Sequence, residues 1–206
     1  MRSPSRNAAP PATWVLLAGA TAAGLLLGPV NLLAQVTLPY PWANLANSPA
    51  VWAVAAFAVG VWGVRGLARV SVAGALLLVL AVESYYAAAV VFLGDDSATL
   101  YNPVAFIWMG FGVVAGVVFG TAGAWYRSSR RWRANIGLAA LGGVFVAEAL
   151  KDVLSGAFGL PTALILTGVA LLVPLVLGRS RRHRLESLAL VVPLALVGLV
   201  GYLIAM

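Results

Sequence analysis

GALLLVLAVESYYAAAVVFLG, residues 74–94, carries one charged side chain in twenty-one positions. A helix needs about 20 predominantly apolar residues to cross the hydrocarbon core of a bilayer, so this stretch reads as a membrane span. Working outward from it, apolar runs of spanning length cover 14–36, 50–64, 70–93, 103–125, 135–156, 160–178 and 186–205. The predicted fold is all-α: a polytopic membrane protein with seven transmembrane helices in a domain over 13–206, preceded by a polar, proline-rich cytoplasmic tail over 1–12. Composition points the same way, because 62% of the 206 residues are hydrophobic and 9% charged, whereas soluble domains carry roughly a quarter charged residues. Arg2 and Arg6 give the first run the flanks of a signal peptide. It is longer than the usual h-region and lacks a clear A-x-A cleavage site, so it is read as a span.

The net charge of +7 is not a nucleic-acid footprint, since the arginines fall in short clusters between apolar runs. Arg2 and Arg6 precede the first span, and Arg65 and Arg69 lie between the second and third. Arg127, Arg130, Arg131 and Arg133 separate the fourth and fifth, and Arg179, Arg181, Arg182 and Arg184 the sixth and seventh. Twelve of the thirteen basic residues thereby share one side. Basic residues near span ends stay cytoplasmic, which predicts an N-in, C-out topology in a bacterial plasma membrane. Lys151 alone lies opposite, beside Asp152, and Asp95 and Asp96 occupy another outer loop.

Ten of the thirteen Trp and Tyr residues sit where interfacial belts are expected: Trp14, Trp62, Trp125, Tyr126 and Trp132 at the inner boundary, Tyr40, Trp42, Trp52, Tyr101 and Tyr202 at the outer. Tyr85, Tyr86 and Trp108 lie inside spans, where their polar atoms need partners. Gly112, Gly116 and Gly120 repeat at four-residue spacing, a stripe that lets helix backbones approach closely.

Several chemistries are excluded. There is no cysteine, and the one histidine, His183, sits in an arginine loop. Thiolate or histidine metal sites, heme ligation and histidine-dependent hydrolysis within the spans all lack their residues. The seventh span has no lysine for a retinal Schiff base. No metal or cofactor is therefore expected.

The acids remain. Glu186 beside the arginines is favourable at a helix start, and Asp95 and Asp96 suit a solvated loop. Glu83, Glu148 and Asp152 fall within spans, where an ionisable group is costly and marks a function by default. Helical spacing puts Glu83 on a face with Tyr86, and Glu148 on a face with Phe145, Lys151 and Asp152. The structural alternatives are a buried Glu83–Tyr86 hydrogen bond and neutralisation of either outer acid by Lys151. Asn31, Gln35, Asn44, Asn47, Ser48 and Trp108 gather at the same outer level. These residues predict a mostly apolar, aromatic-walled pocket in the outer half of the bundle. Glu83, Glu148 and Asp152 are the candidate acids, and Asn31, Asn47, Trp52, Tyr86, Trp108 and Phe145 the candidate binding residues, with Glu83, Tyr86, Trp108 and Glu148 facing one another. A carboxylic acid desolvated there holds its proton and can donate it, while aromatic faces stabilise cations without quenching them.

LANSPAVWAVAAFAVG at 45–60, the opening stretch at 74–94, VVFGTAGAWYR at 117–127 and GGVFVAEALKD at 142–152 resemble small actinobacterial seven-helix membrane proteins. Among these are the membrane-bound indole sesquiterpene cyclases of drimentine-type biosynthesis. The resemblance implies an acid-initiated carbocation cyclisation of a prenyl chain, farnesyl on an indole, with the lipophilic substrate entering from the bilayer. Neither a DxDD run nor a DDxxD-type diphosphate motif is present, and the adjoining Asp95 and Asp96 do not match either. Similar parts would serve a membrane-embedded binding or transport protein for a small lipophilic molecule, such as the ligand-capturing subunits of vitamin uptake systems.

Overall fold

The structure, a computed structural model, describes residues 11–63, 66–156 and 159–205. Arg2, Arg6 and Arg65 of the orientation argument lie outside them. Among the described residues the chain is helical without strands: α1 (Thr13–Thr37), α2 (Trp42–Ala46), α3 (Pro49–Trp62), α4 (Leu67–Leu93), α5 (Pro103–Tyr126), α6 (Arg131–Ser155), α7 (Gly159–Leu177) and α8 (Arg181–Ala205). Six helices are long and apolar enough to cross a membrane, with α2 and α3 together forming one of them. The architecture fits an integral membrane protein. The seventh long helix, α6, carries Arg131, Arg133, Glu148, Lys151 and Asp152.

The helix ends correct the reading by hydropathy. α6 starts at Arg131 and α8 at Arg181, ahead of the expected 135 and 186. Apolar runs locate the slab, whereas a helix continues until its backbone groups find other partners. At α8 that partner is Ser180, whose Oγ accepts from the His183 N–H at 3.1 Å. The stretch between the first two expected spans contains α2. Asp96, expected in a solvated loop, accepts from the Ala98 N–H at 2.9 Å and begins a 3-10 turn over Ser97–Tyr101.

Packing is built on small residues. A Cβ on Gly116 would collide with the backbone of Ala75, and one on Gly74 with the carbonyl of Gly116. The glycine stripe therefore holds α4 against α5. Lipid tails are as apolar as leucine, so helices in a membrane gain from such close approach and from hydrogen bonds rather than from water exclusion. Ser84 Oγ donates to the Gly24 carbonyl at 3.1 Å between α4 and α1. Short α3 lies against α4, α5 and α6, and α6 in turn packs on α7 and α8.

The described arginines gather at one end. Arg69 donates to the Pro11 carbonyl at 2.9 Å, and Arg179 to the Tyr126 carbonyl at 2.6 Å. Glu186 joins Arg131, Arg182 and Asn135.

Candidate functional site

At the other end, α3 begins inside the bundle, and its first amides are fully accounted for. Pro49 has no N–H. Ala50 N–H donates to Glu148 Oε2 at 2.7 Å, Val51 N–H to Ser48 Oγ at 3.3 Å, and Trp52 N–H to the Ser48 carbonyl at 3.1 Å. The Ser48 hydroxyl then donates to Glu148 Oε2 at 2.9 Å. Glu148, 3% exposed, thus closes a helix end that carries partial positive charge. One turn along α6, Asp152 is 1% exposed, with Lys151 Nζ 2.8 Å from its Oδ1. No further hydrogen bond reaches its carboxylate among the described residues. Lys151 Nζ also lies 5.5 Å from the centre of the Tyr202 ring on α8.

Beside this seat lies a partly open cavity of about 150 Å³ between α3, α4 and α5. Trp52, Tyr85, Tyr86 and Trp108 supply its aromatic walls, Leu78, Val82 and Ala115 its apolar lining, and Gly112 leaves room for it. Trp52 and Tyr85 meet with ring centroids 6.2 Å apart, and Tyr85 and Tyr86 edge to face at 5.7 Å. The Tyr85 hydroxyl donates to Gln35 Oε1 at 2.5 Å, which fixes that ring from α1. The Trp52 indole N–H is buried and has no acceptor among the described residues.

The wall and the acid seat share one segment. Asn47 and Pro49 line the cavity, while Ser48 between them turns its hydroxyl the other way, to Glu148. Of the candidate binding residues, Asn47, Trp52, Tyr86 and Trp108 line this cavity together. Glu83, Glu148, Asp152, Phe145 and Asn31 do not line the cavity, and Glu83, Tyr86, Trp108 and Glu148 do not face one another. The reason is packing: α3 and α5 each touch both α4 and α6 and stand between them. Helical bearing adds to it. Val82 and Tyr86 turn to the cavity, and Glu83 follows about 100° round from Val82, half-buried and without a hydrogen bond or ion pair among the described residues. Phe145, 3% exposed, joins the main core with Phe57, Leu141 and Ala149. Asn31 is buried on α1, with no partner for its Nδ2 among the described residues.

Sequence reasoning missed Tyr85 as a wall residue and Ser48 as the link. The first had a signal, a second ring beside Tyr86. The second had none, because Ser48 and Glu148 are 100 residues apart. The described residues hold no grouping of three or more His, Cys, Asp or Glu side chains placed for a metal ion. Chemically, the arrangement can hold a flat or branched apolar group against four rings, with a buried carboxylate behind one wall.

No curated protein and no solved structure matches the chain. The family described as a family of unknown function, DUF6518, matches residues 7–206. With all but the first six residues covered, the chain belongs to the DUF6518 family.

Proposed function

We propose that the protein crosses the bacterial plasma membrane seven times, N-in and C-out, and takes a lipophilic small molecule from the bilayer into the cavity between α3, α4 and α5. The observation that carries this is the aromatic-walled cavity, with Trp108, 43% exposed, connecting it to the outer face of the bundle. A dry cavity of about 150 Å³ accommodates a benzene-sized group. That is room for about one isoprene unit, with the rest of a longer chain lying at the mouth. In neutral detergent the purified chain should bind a tritiated prenyl alcohol saturably, and Ala115→Leu, which fills the cavity, should abolish binding. Equal binding by the filled variant would overturn the reading.

A second reading, favoured by the buried Glu148 carboxyl group directly behind the 47–49 wall, is the acid-initiated cyclisation that the resemblance implies. Here segment 47–49 moves to admit the chain to Glu148. Its protonated carboxyl adds a proton to an alkene or epoxide, the rings of Trp52, Tyr86 and Trp108 steady the travelling cation, and loss of a proton elsewhere on the chain returns a product of unchanged mass. Membranes incubated with a farnesylated indole decide between the two by mass spectrometry and NMR. A new isomer establishes cyclisation, and substrate recovered unaltered excludes it. If cyclisation occurs, Glu148→Gln should lower product formation about 100-fold or more. Trp108→Leu should divert product toward partly cyclised isomers, and Trp108→Phe should not.

A further inference from the structure

At the arginine end, the contacts divide the described arginines of the α5–α6 and α7–α8 connections into two groups. Arg131 and Arg182 pair with Glu186, and Arg179 and Arg184 donate to the carbonyls of Tyr126 and Gly178. Arg127, Arg130, Arg133 and Arg181 have no acceptor among the described residues. Three of these four are exposed, as a basic residue at a membrane surface ordinarily is. Arg133 is different. Its guanidinium is held over two indoles, with Cζ 5.2 Å from the Trp132 ring and 6.0 Å from the Trp125 ring, and those rings pack edge to face at 5.7 Å. Its Nε–H and the neighbouring Trp125 Nε1–H are both buried, and neither has an acceptor among the described residues.

Two buried donors in one aromatic cluster, one on a cation, leave a deficit of acceptor and of negative charge. Leaving such donors unmade is costly, and Glu186, the acid nearest in this region, is engaged with Arg131, Arg182 and Asn135. The surroundings add to the deficit. Arg130 provides no side-chain cap to the first turn of α6, and no acid lies in that turn. Guanidinium forks and helix starts both suit phosphate oxygens. The cluster sits where two spanning-length helices end, which is headgroup depth, and the tryptophans are the belt residues expected there.

We propose that Arg133, Trp125 and Trp132 form a seat for the phosphate of an anionic phospholipid, with Arg127 and Arg130 at its rim. The phosphate meets the part-buried Arg133 guanidinium, a shift of the Arg133 and Trp125 side chains brings their buried N–H groups to it, and the acyl chains lie along α5. Lys and Arg at such a surface attract anionic lipid generally; the seat differs in requiring one residue rather than the total charge.

The test uses the full chain, stripped of lipid in neutral detergent, with lipid retention read by native mass spectrometry. Phosphatidylglycerol should bind about tenfold or more tightly than phosphatidylcholine. Arg133→Gln should weaken it by about tenfold to a hundredfold, the worth of a charged hydrogen bond. Arg181→Gln, which removes the same charge from an exposed site, should change it less than about threefold. Should Arg133→Gln fail to fold, Trp125→Phe keeps the ring and deletes one donor, and it should weaken phosphatidylglycerol about fivefold. Equal losses from Arg133→Gln and Arg181→Gln would overturn the proposal in favour of diffuse attraction. It fails too if phosphatidylcholine binds as well as phosphatidylglycerol, or if millimolar inorganic phosphate displaces the lipid, since the source would then be free phosphate.

Discussion

Glu148 on α6 and Glu83 on α4 are the same residue type, each deep in a long helix, yet their surroundings are opposite. Glu148 is 3% exposed and accepts from Ala50 and Ser48. Glu83 is half-buried on a face that its neighbours leave, with no hydrogen bond or ion pair among the described residues. An acid within a span signals cost, but the signal has no direction. Direction comes from which neighbours meet another helix, and the glycines repeat the contrast: Gly116 presses on the Ala75 backbone, while Gly110 on the same helix has nothing within 4 Å of where a Cβ would stand.

That contrast can be broken by substitution in pairs. Glu148→Leu strands the Ser48 hydroxyl and the Ala50 amide, and at about 1–3 kcal/mol for each buried orphan it should cost roughly 3 kcal/mol or more in thermal unfolding. Glu148→Gln, which keeps an accepting oxygen, should cost about half as much. A Leu variant that melts with the wild type would mean that the start of α3 is held by something else. Gly116→Val should cost about 1–3 kcal/mol through forced separation of α4 and α5, against a change within about 0.5 kcal/mol for Gly110→Val; similar losses would erase the distinction between inward and outward faces. Tyr85→Phe, which deletes the bond to Gln35, should cost about 1 kcal/mol and loosen the cavity wall, visible as weaker prenyl-alcohol binding. Smallest of all, Glu83→Leu should leave stability within about 0.5 kcal/mol or raise it, because it removes an acid from an outward face. A large loss there would reveal a partner for Glu83.

These pairs also mark where the sequence was legible. The six apolar spans were visible because long apolar runs have few other uses, and the stripe at Gly112, Gly116 and Gly120 was visible because a spacing of four marks one face. Short α2 escaped because five residues, Trp42–Ala46, carry no periodicity. Tyr86 and Trp108 could be placed at a site because belts did not explain them. The direction of Glu83, the departure of Phe145 into the core and the junction of Ser48 with Glu148 depend on which helices are neighbours. No local pattern encodes the insertion of α3 and α5 between α4 and α6.

The seating of α3 has a consequence in time. Its 14 residues extend about 21 Å, short of the roughly 30 Å of a hydrocarbon core, and the carboxylate that receives its Ala50 amide is 98 residues downstream. At about 5–20 residues per second of synthesis, that amide waits roughly 5–20 s before the ribosome has made its acceptor. Until then the amide needs another acceptor, such as water, and the start of α3 can take up its final seat only once α6 has been made.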